Sequence, residues 1–372
     1  MPRFDFVIVG SGMAGAGVAY ELADRASVLL LERESAHGYH TTGRSAALYI
    51  ETYGNAVIRG LTRSSRPFFE APPEGFCDYP LLTPRGCLYI ARSDQMDALA
   101  AMAAEVGASA ETLGRDEVLA LAPSLRADYV AGGLLEADAM DADVGALHQG
   151  FLRGARQRGA DVRLDQEVVA IERGPEGFVL TCADGATYET GVVINAAGAW
   201  ADVIAGLAGA APVGLQPMRR TAAVFDAPPG VDARAWPAII DVDEQFYFKP
   251  EAGRLLVSPA DETPSEPCDA WADDMDVAVC IDRIQAAADI PVQRIVRSWA
   301  GLRSFVADRS PVIGFDGKVP GFFWLAGQGG YGVQTAPAAA RTAAALALGE
   351  ALPADISAND VSAENLSPTR LR

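Results

Sequence analysis

The chain is poor in the side chains on which most protein chemistry depends. Its 372 residues contain three histidines, His37, His40 and His148, and none has a carboxylate or nucleophile at a recognisable spacing. No Gly-x-Ser-x-Gly string occurs, so a hydrolytic triad is not supported. No His/Asp/Glu cluster recurs at metal-ligand spacing, and no metal is expected. The five cysteines (Cys77, Cys87, Cys182, Cys268 and Cys280) are scattered and form no Cys-x-x-Cys pair, which points to neither a disulfide framework nor a zinc site. No apolar run is long enough to span a bilayer, and the N-terminus lacks a basic region and cleavage site. A soluble, reduced, cytoplasmic protein is the expectation. Internal repeats are absent. Basic residues are outnumbered 30 to 49, giving a net charge of −19, so phosphate-rich nucleic acid and anionic membrane surfaces would be repelled. That balance says little about the charge of a local pocket.

What is present is core material: half of the residues are hydrophobic, and the length suits two domains. The most informative stretch spans residues 4–33. Residues 6–9 form a continuous apolar, β-branched run suited to a buried parallel strand. Gly10, Gly12 and Gly15 follow in the Gly-x-Gly-x-x-Gly spacing of a dinucleotide site. The first glycine allows the tight turn, the second a close approach of the backbone to a pyrophosphate, and the third close helix–strand packing. The positive end of the next helix then faces the phosphates. A second apolar run, 28–31, ends in Glu32, where an acid is placed to accept hydrogen bonds from a ribose. This stretch alone does not separate NAD from FAD.

Residues 33–54 form a long irregular segment rich in small and hydroxyl side chains. It could run along a flavin ring or be a plain surface loop. Five prolines in 67–86 mark a crossing between domains. A strand is expected at 87–90, helices at 94–106 and 143–158, and a strand at 162–172. Asp184-Gly185 between 178–182 and 187–189 signals a hairpin. Residues 192–198 read as a second buried strand ending in small residues, followed by a helix near 200–207. From 216 to 301 the texture becomes antiparallel, with strands at 221–225, 238–242, 245–249, 254–258 and 292–299 and a helix at 271–288. The dinucleotide domain returns with a strand at 322–325, a glycine turn at 326–332 and an alanine-rich helix at 333–348. The tail from Pro353 is expected to be peripheral.

With hydrolytic and metal chemistry unsupported, a redox reaction carried by a cofactor remains. The second glycine turn decides which cofactor. A helix starting after Gly329-Gly330-Tyr331-Gly332 could aim its dipole at the pyrimidine end of a flavin and stabilise charge arriving on reduction. Nicotinamide enzymes have no comparable need.

The order Gly-x-Gly-x-x-Gly, Glu32, Val-Ile-Asn-Ala-Ala-Gly (193–198), Trp-Ala-Gly-Leu-Arg (299–303) and Gln-Gly-Gly-Tyr-Gly (328–332) resembles the D-amino-acid oxidase family of FAD-dependent oxidoreductases. Within it, the bacterial D-arginine dehydrogenases are similar through 38–47, 146–150, 214–217, 246–250 and 299–308 as well. The resemblance implies an α/β fold. A Rossmann-type FAD-binding domain of glutathione-reductase type would comprise 1–77, 140–214 and 307–372. A discontinuous α+β substrate domain with an antiparallel sheet would comprise 78–139 and 215–306. It implies non-covalent FAD contacted by Gly10, Gly12, Ala14, Gly15, Glu32, Arg33, Thr41, Thr42, Gly43, Arg44, Ser45 and Ala46. Val169, Ala197, Gly198, Gly329, Gly330, Tyr331, Gly332 and Val333 complete that set. It also implies that Arg220 and Arg303 hold a substrate carboxylate, that Tyr53 and Tyr247 close the pocket, and that Gly330 and Gln334 touch the ligand. A guanidinium fork suits a carboxylate.

Two positions depart from the arginine dehydrogenases: Leu48 and Cys87 stand where that group has a histidine and a glutamate around the substrate side chain. An unpaired cationic side chain there would be costly. The expectation is therefore a small-molecule amino-acid substrate, a D-amino acid with a neutral or apolar side chain, oxidised to an imino acid that hydrolyses to a 2-keto acid. The electron acceptor, oxygen or a quinone-linked partner, is left open. The same scaffold would also serve an N-methylated or cyclic amino acid or a 2-hydroxy acid. A non-catalytic flavin-carrying subunit would not need Arg220 and Arg303.

Overall fold

The computed structural model describes residues 1–174, 176–227 and 232–372. Its first sheet has a parallel centre in the order Phe322–Ala326, Thr187–Asn195, Arg3–Val9, Val28–Leu31 and Asp161–Arg163. Alternate residues of the central strands feed two separate cores. Phe6, Ile8, Val28 and Leu30 face one, with helices Met13–Leu22, Val144–Gln157 and Ala336–Ala347; Val7, Val9, Leu29 and Leu31 face the other. Burial on both faces is why these strands read as unbroken apolar runs.

The second sheet is mostly antiparallel and has nine strands. Its longest pair, Gln216–Asp226 with Ile295–Phe305, runs side by side from Gln216↔Phe305 to Phe225↔Ile295. Helix Asp274–Ala287 packs Val277, Cys280 and Ile284 into the core below that sheet.

Several expectations need correction. The strand at 162–172 is two strands, Asp161–Arg163 in the parallel sheet and Val168–Gly174 in an antiparallel pair. They are separated by a turn in which Asp165 takes a φ of 55°. Pro67, the first of the five prolines, lies inside helix Ala56–Glu70 and not in an irregular segment. That helix begins where Asn55 accepts from the Ile58 N–H, and it buries Ile58, Leu61 and Phe69. The strands expected at 187–189 and 192–198 are one, Thr187–Asn195, which ends before the small residues 196–198 and pairs with the hairpin at one end and with Phe322–Ala326 at the other. Residues 333–335 are not yet helical; the last long helix is Ala336–Ala347.

The tail is not peripheral. Ile356, Val361 and Leu366 sit in the first core. At the end of the chain, Arg372 donates to Asp316 at 2.7 Å, and Lys318 N (2.8 Å), Val319 N (3.1 Å) and Trp324 Nε1 (3.0 Å) donate to the same carboxylate. Burial works to raise the Asp316 pKa, but these donors outweigh it and bring the carboxyl down to about 2. Because the folded pKa is depressed, this contribution to stability is complete above the unfolded value near 4 and is lost as pH falls towards 2. Asp316→Asn should destabilise the protein at pH 7 by on the order of 2 kcal/mol, with the difference shrinking below about pH 4. Chemical denaturation at several pH values checks this; an unchanged midpoint at pH 7 contradicts it.

Candidate active site

The glycine turn opens a cleft of about 280 Å³. Gly10 has a φ of 100°, and a Cβ on it would meet the Ala196 carbonyl oxygen at 2.5 Å. A Cβ on Gly15 would overlap the Gly10 carbonyl oxygen. Only glycine lets this turn bring the start of helix Met13–Leu22 to the cleft. The helix has no acid in its first turn, so its positive end is left available for an anion.

Glu32, buried at the end of its strand, lines the same cleft. It accepts from Ser11 N (2.9 Å) and Ser11 Oγ (2.8 Å), and its other oxygen accepts from Glu34 N at 3.1 Å. The Ser11 hydroxyl, having donated to Glu32, is 2.8 Å from His37 Nδ1, and His37 Nε2 is 2.7 Å from an Arg156 nitrogen. Arg156 only donates, so His37 accepts through Nε2 and carries its proton on Nδ1. Burial first, then the Arg156 and His148 charges, lower the His37 pKa and keep the ring neutral. A chain of donors therefore fixes the acid that faces the ribose position. The residues present fit the pyrophosphate and ribose of FAD.

The long 33–54 segment closes the cleft's other wall. Thr42 Oγ1 accepts from Met13 N at 3.0 Å, and Thr41 Oγ1 donates to the Leu302 carbonyl at 2.8 Å. Arg44 donates to the carbonyls of Ala270 (2.7 Å) and Ala300 (3.1 Å) and pairs with Asp269. The guanidinium of Arg33 lies 4.1 Å above the Trp200 ring, itself part of the lining.

At the far end lies a pair of cations. Arg220 stands opposite Gly301 in the long strand pair, so Arg303, two residues on, shares its sheet face as the diagonal neighbour. Both line the cleft, as does Tyr247. Arg220 is buried; one terminal nitrogen reaches Glu262 at 3.3 Å, and its buried Nε has no partner among the described residues. Arg303 is partly buried and has no carboxylate within ion-pair distance among the described residues. Burial would lower its pKa, but Tyr53, Tyr247 and the more distant Glu262 hold it above the ordinary value. A Cβ on Gly330 would come within 2.9 Å of an Arg303 nitrogen, so the missing side chain makes room for the guanidinium.

Of the residues expected at the site, Gly10, Gly12, Ala14, Glu32, Arg33, Thr41, Thr42, Arg44, Ser45, Ala46, Ala197, Gly198, Gly329, Gly330, Gly332, Val333, Arg220, Arg303 and Tyr247 line this one cleft. Gly15 and Gly43 lie beneath its wall, Gly43 N donating to the Gly38 carbonyl at 2.7 Å. The Val169 side chain is exposed, and its neighbour Val168 does the lining. Tyr331 packs behind the cleft, edge-on to Tyr53 at 4.9 Å. Gln334 is buried away from it, donating to Thr62 Oγ1 at 2.9 Å and exchanging 3.3 Å bonds with Ile50, three residues before Tyr53. Leu48 and Cys87 belong to an apolar cluster with Ile50, Tyr53 and Tyr89.

Directly across the strand ladder from Cys87 is Glu136, buried, bonded by Thr52 and held above the ordinary carboxyl pKa by that burial. So an acid is present near Cys87 after all, in a setting that favours its neutral form. Glu136, Glu262, Trp200 and the Ser11–His37–Arg156 chain carry no sequence motif. Only the sheet register and loop packing place them.

A dinucleotide cleft ending on paired guanidinium groups defines a flavin-dependent oxidoreductase. The chain belongs to the DAO family of FAD dependent oxidoreductases, which matches residues 5–346. It is 24% identical over 371 residues to glycine oxidase of Bacillus licheniformis, spanning 93% of this chain and 94% of that one. It is 26% identical over 222 residues to L-2-hydroxyglutarate dehydrogenase of Escherichia coli, a match that takes in 56% of this chain and only about half (51%) of that relative. The crystal structure of glycine oxidase from Geobacillus kaustophilus superposes with a TM-score of 0.85 at 22% identity, over 100% of this chain and 99% of the other.

Gly15→Ala should push the helix off the turn, and the purified protein should then retain little flavin by absorbance. Wild-type flavin content contradicts that account. A Cβ on Gly330 meets the Arg303 side chain from Cδ to its terminal nitrogen and no backbone among its nearest atoms, so in Gly330→Ala stability should change by no more than about 1–2 kcal/mol. Affinity for a carboxylate ligand, read from the flavin spectrum, should fall roughly tenfold as Arg303 is displaced. Unaltered affinity contradicts the placement.

Proposed function

We propose that the protein is an FAD-dependent D-amino-acid dehydrogenase acting on D-amino acids with neutral or apolar side chains. We take its FAD-binding domain as 1–77, 140–214 and 307–372 and its substrate domain as 78–139 and 215–306. One observation carries the reading: Arg303 presents a guanidinium to the cofactor cleft with no carboxylate partner among the described residues. Such a charge, held in a partly desolvated cleft, calls for an anionic ligand. Arg303 binds the substrate carboxylate, and the unpartnered Nε of Arg220 is the second donor. Two anchors at one end of a small acid fix which face of its α-carbon is turned to the cofactor. When bound, FAD supplies a hydride acceptor.

Burial holds the Tyr53 phenol up at about 12, so at neutral pH it donates hydrogen bonds and does not act as a base. His37 and His148, lowered chiefly by burial, are engaged with Ser11. Among the described residues, Glu262 is the carboxylate near the cations, and it is held by Arg220 and Arg309, so no dedicated base is assigned. The substrate reacts as its neutral amine, and solvent removes the proton. The burial that raises the Glu136 pKa and the apolar surroundings of Leu48 and Cys87 favour an uncharged side chain. The electron acceptor is oxygen or a quinone-linked partner.

Anaerobic mixing with D- and L-forms of leucine, methionine, phenylalanine and arginine, followed by loss of flavin absorbance, tests this. The D-forms of the first three should bleach the flavin faster than D-arginine, and the L-forms should not bleach it. Preference for D-arginine, or reduction by sarcosine or a 2-hydroxy acid alone, contradicts the reading. kcat/KM should rise with pH along one limb set by the substrate ammonium; a second limb near pH 6–7 would reveal a protein base.

A further inference from the structure

Among the described residues, Glu262 is the one carboxylate that meets the paired cations. Its Oε1 lies 3.3 Å from Arg220 and 2.7 Å from Arg309, and its Oε2 is 3.1 Å from the other terminal nitrogen of Arg309. Arg309 thus grips it with both prongs, while Arg220 shares one oxygen. The segment that carries it is pinned on either side. Asp261 accepts from Thr221 N (2.7 Å) and Thr221 Oγ1 (3.0 Å), and Thr263 and Pro264 pair with Arg219 and Met218. Partial burial works to raise the Glu262 pKa, but Arg309, Arg220 and Arg303 outweigh it and keep the group charged at neutral pH. Arg303, on the same sheet face, is left without an ion pair among the described residues.

We infer that Glu262 occupies the place of a second substrate carboxylate, between Arg220 and Arg309, and thereby restricts the enzyme to monocarboxylic substrates. This rests on the reading of Arg303 as the substrate-carboxylate anchor. A monoacid needs Arg303 and the buried Nε of Arg220, neither of which Glu262 bonds. A diacid with its first carboxylate on Arg303 brings its second towards a site already filled by a negative group that does not leave. Like charges so placed oppose binding, and the arginines that would compensate are already engaged. Removing the charge on Glu262 frees the Arg309 fork and one Arg220 nitrogen for that second carboxylate.

The test uses the flavin-loaded protein and two four-carbon probes, butyrate and succinate, with Kd read from the perturbed flavin spectrum. In E262Q, succinate should bind about tenfold more tightly while butyrate changes by less than about threefold. The double variant E262Q/R309M should lose the succinate gain and keep butyrate affinity, which separates a specific second site from a general rise in positive charge. In R303M both acids should lose affinity. If R303M binds as wild type, the carboxylate anchor fails and this inference falls with it. If R303M loses affinity but the succinate-to-butyrate ratio is the same in E262Q and wild type, this inference alone is overturned. Retained succinate affinity in the double variant likewise overturns it. Flavin content and thermal midpoint of each variant establish that the protein compared is folded.

Discussion

The structure is organised around a guanidinium, that of Arg303, that has no ion-pair partner among the described residues. A partly buried arginine is tolerable when dipoles and a distant carboxylate share the work of a partner, and Tyr53, Tyr247 and Glu262 do so for Arg303. Its direction is set by two long antiparallel strands, whose register puts Arg220 and Arg303 diagonally on one face. Gly330 leaves the room it occupies. A cation held this way has little freedom to fold back onto the protein surface, and under the proposed function a substrate carboxylate is its partner.

The parallel sheet delivers the other half of the site. Its central strands are buried on both faces and end at the glycine turn, where the helix dipole and Glu32 converge on one cleft. The two sheets are joined across that cleft by the segment around residues 41–44. It bonds to the first helix through Thr42 and to the second sheet's strands through Thr41 and Arg44. Trp299 adds a bond from its ring nitrogen to the Arg44 carbonyl at 2.9 Å. A cofactor lying in the cleft would be flanked by residues of both sheets.

How much of this could be read beforehand follows the kind of interaction involved. The glycine turn, the buried runs at 6–9 and 28–31 and the terminal acid Glu32 were legible because local conformation and two-faced burial both leave periodic marks. Arg220 and Arg303 were legible only through likeness to a family, since one arginine on a strand looks like any other. The helix containing Pro67 is hidden because a proline reads as a helix breaker, while burial of Ile58, Leu61 and Phe69 outweighs that cost here. The tail was misjudged since Ile356 and Leu366 are isolated apolar residues among polar ones, and only tertiary contact shows what they cover. Glu262 and Glu136 were invisible for a similar reason: an acid's meaning lies in which strand faces it. Cys87 alone pointed to a pocket without a carboxylate, while its cross-strand neighbour carries one.

The most direct measurement is a crystal structure of the flavin-loaded protein with D-leucine bound under anaerobic conditions. The account predicts the leucine carboxylate within hydrogen-bond distance of Arg303 and of Arg220 Nε, with Glu262 still on Arg309. A carboxylate bound elsewhere, with Arg303 turned to solvent, would contradict it.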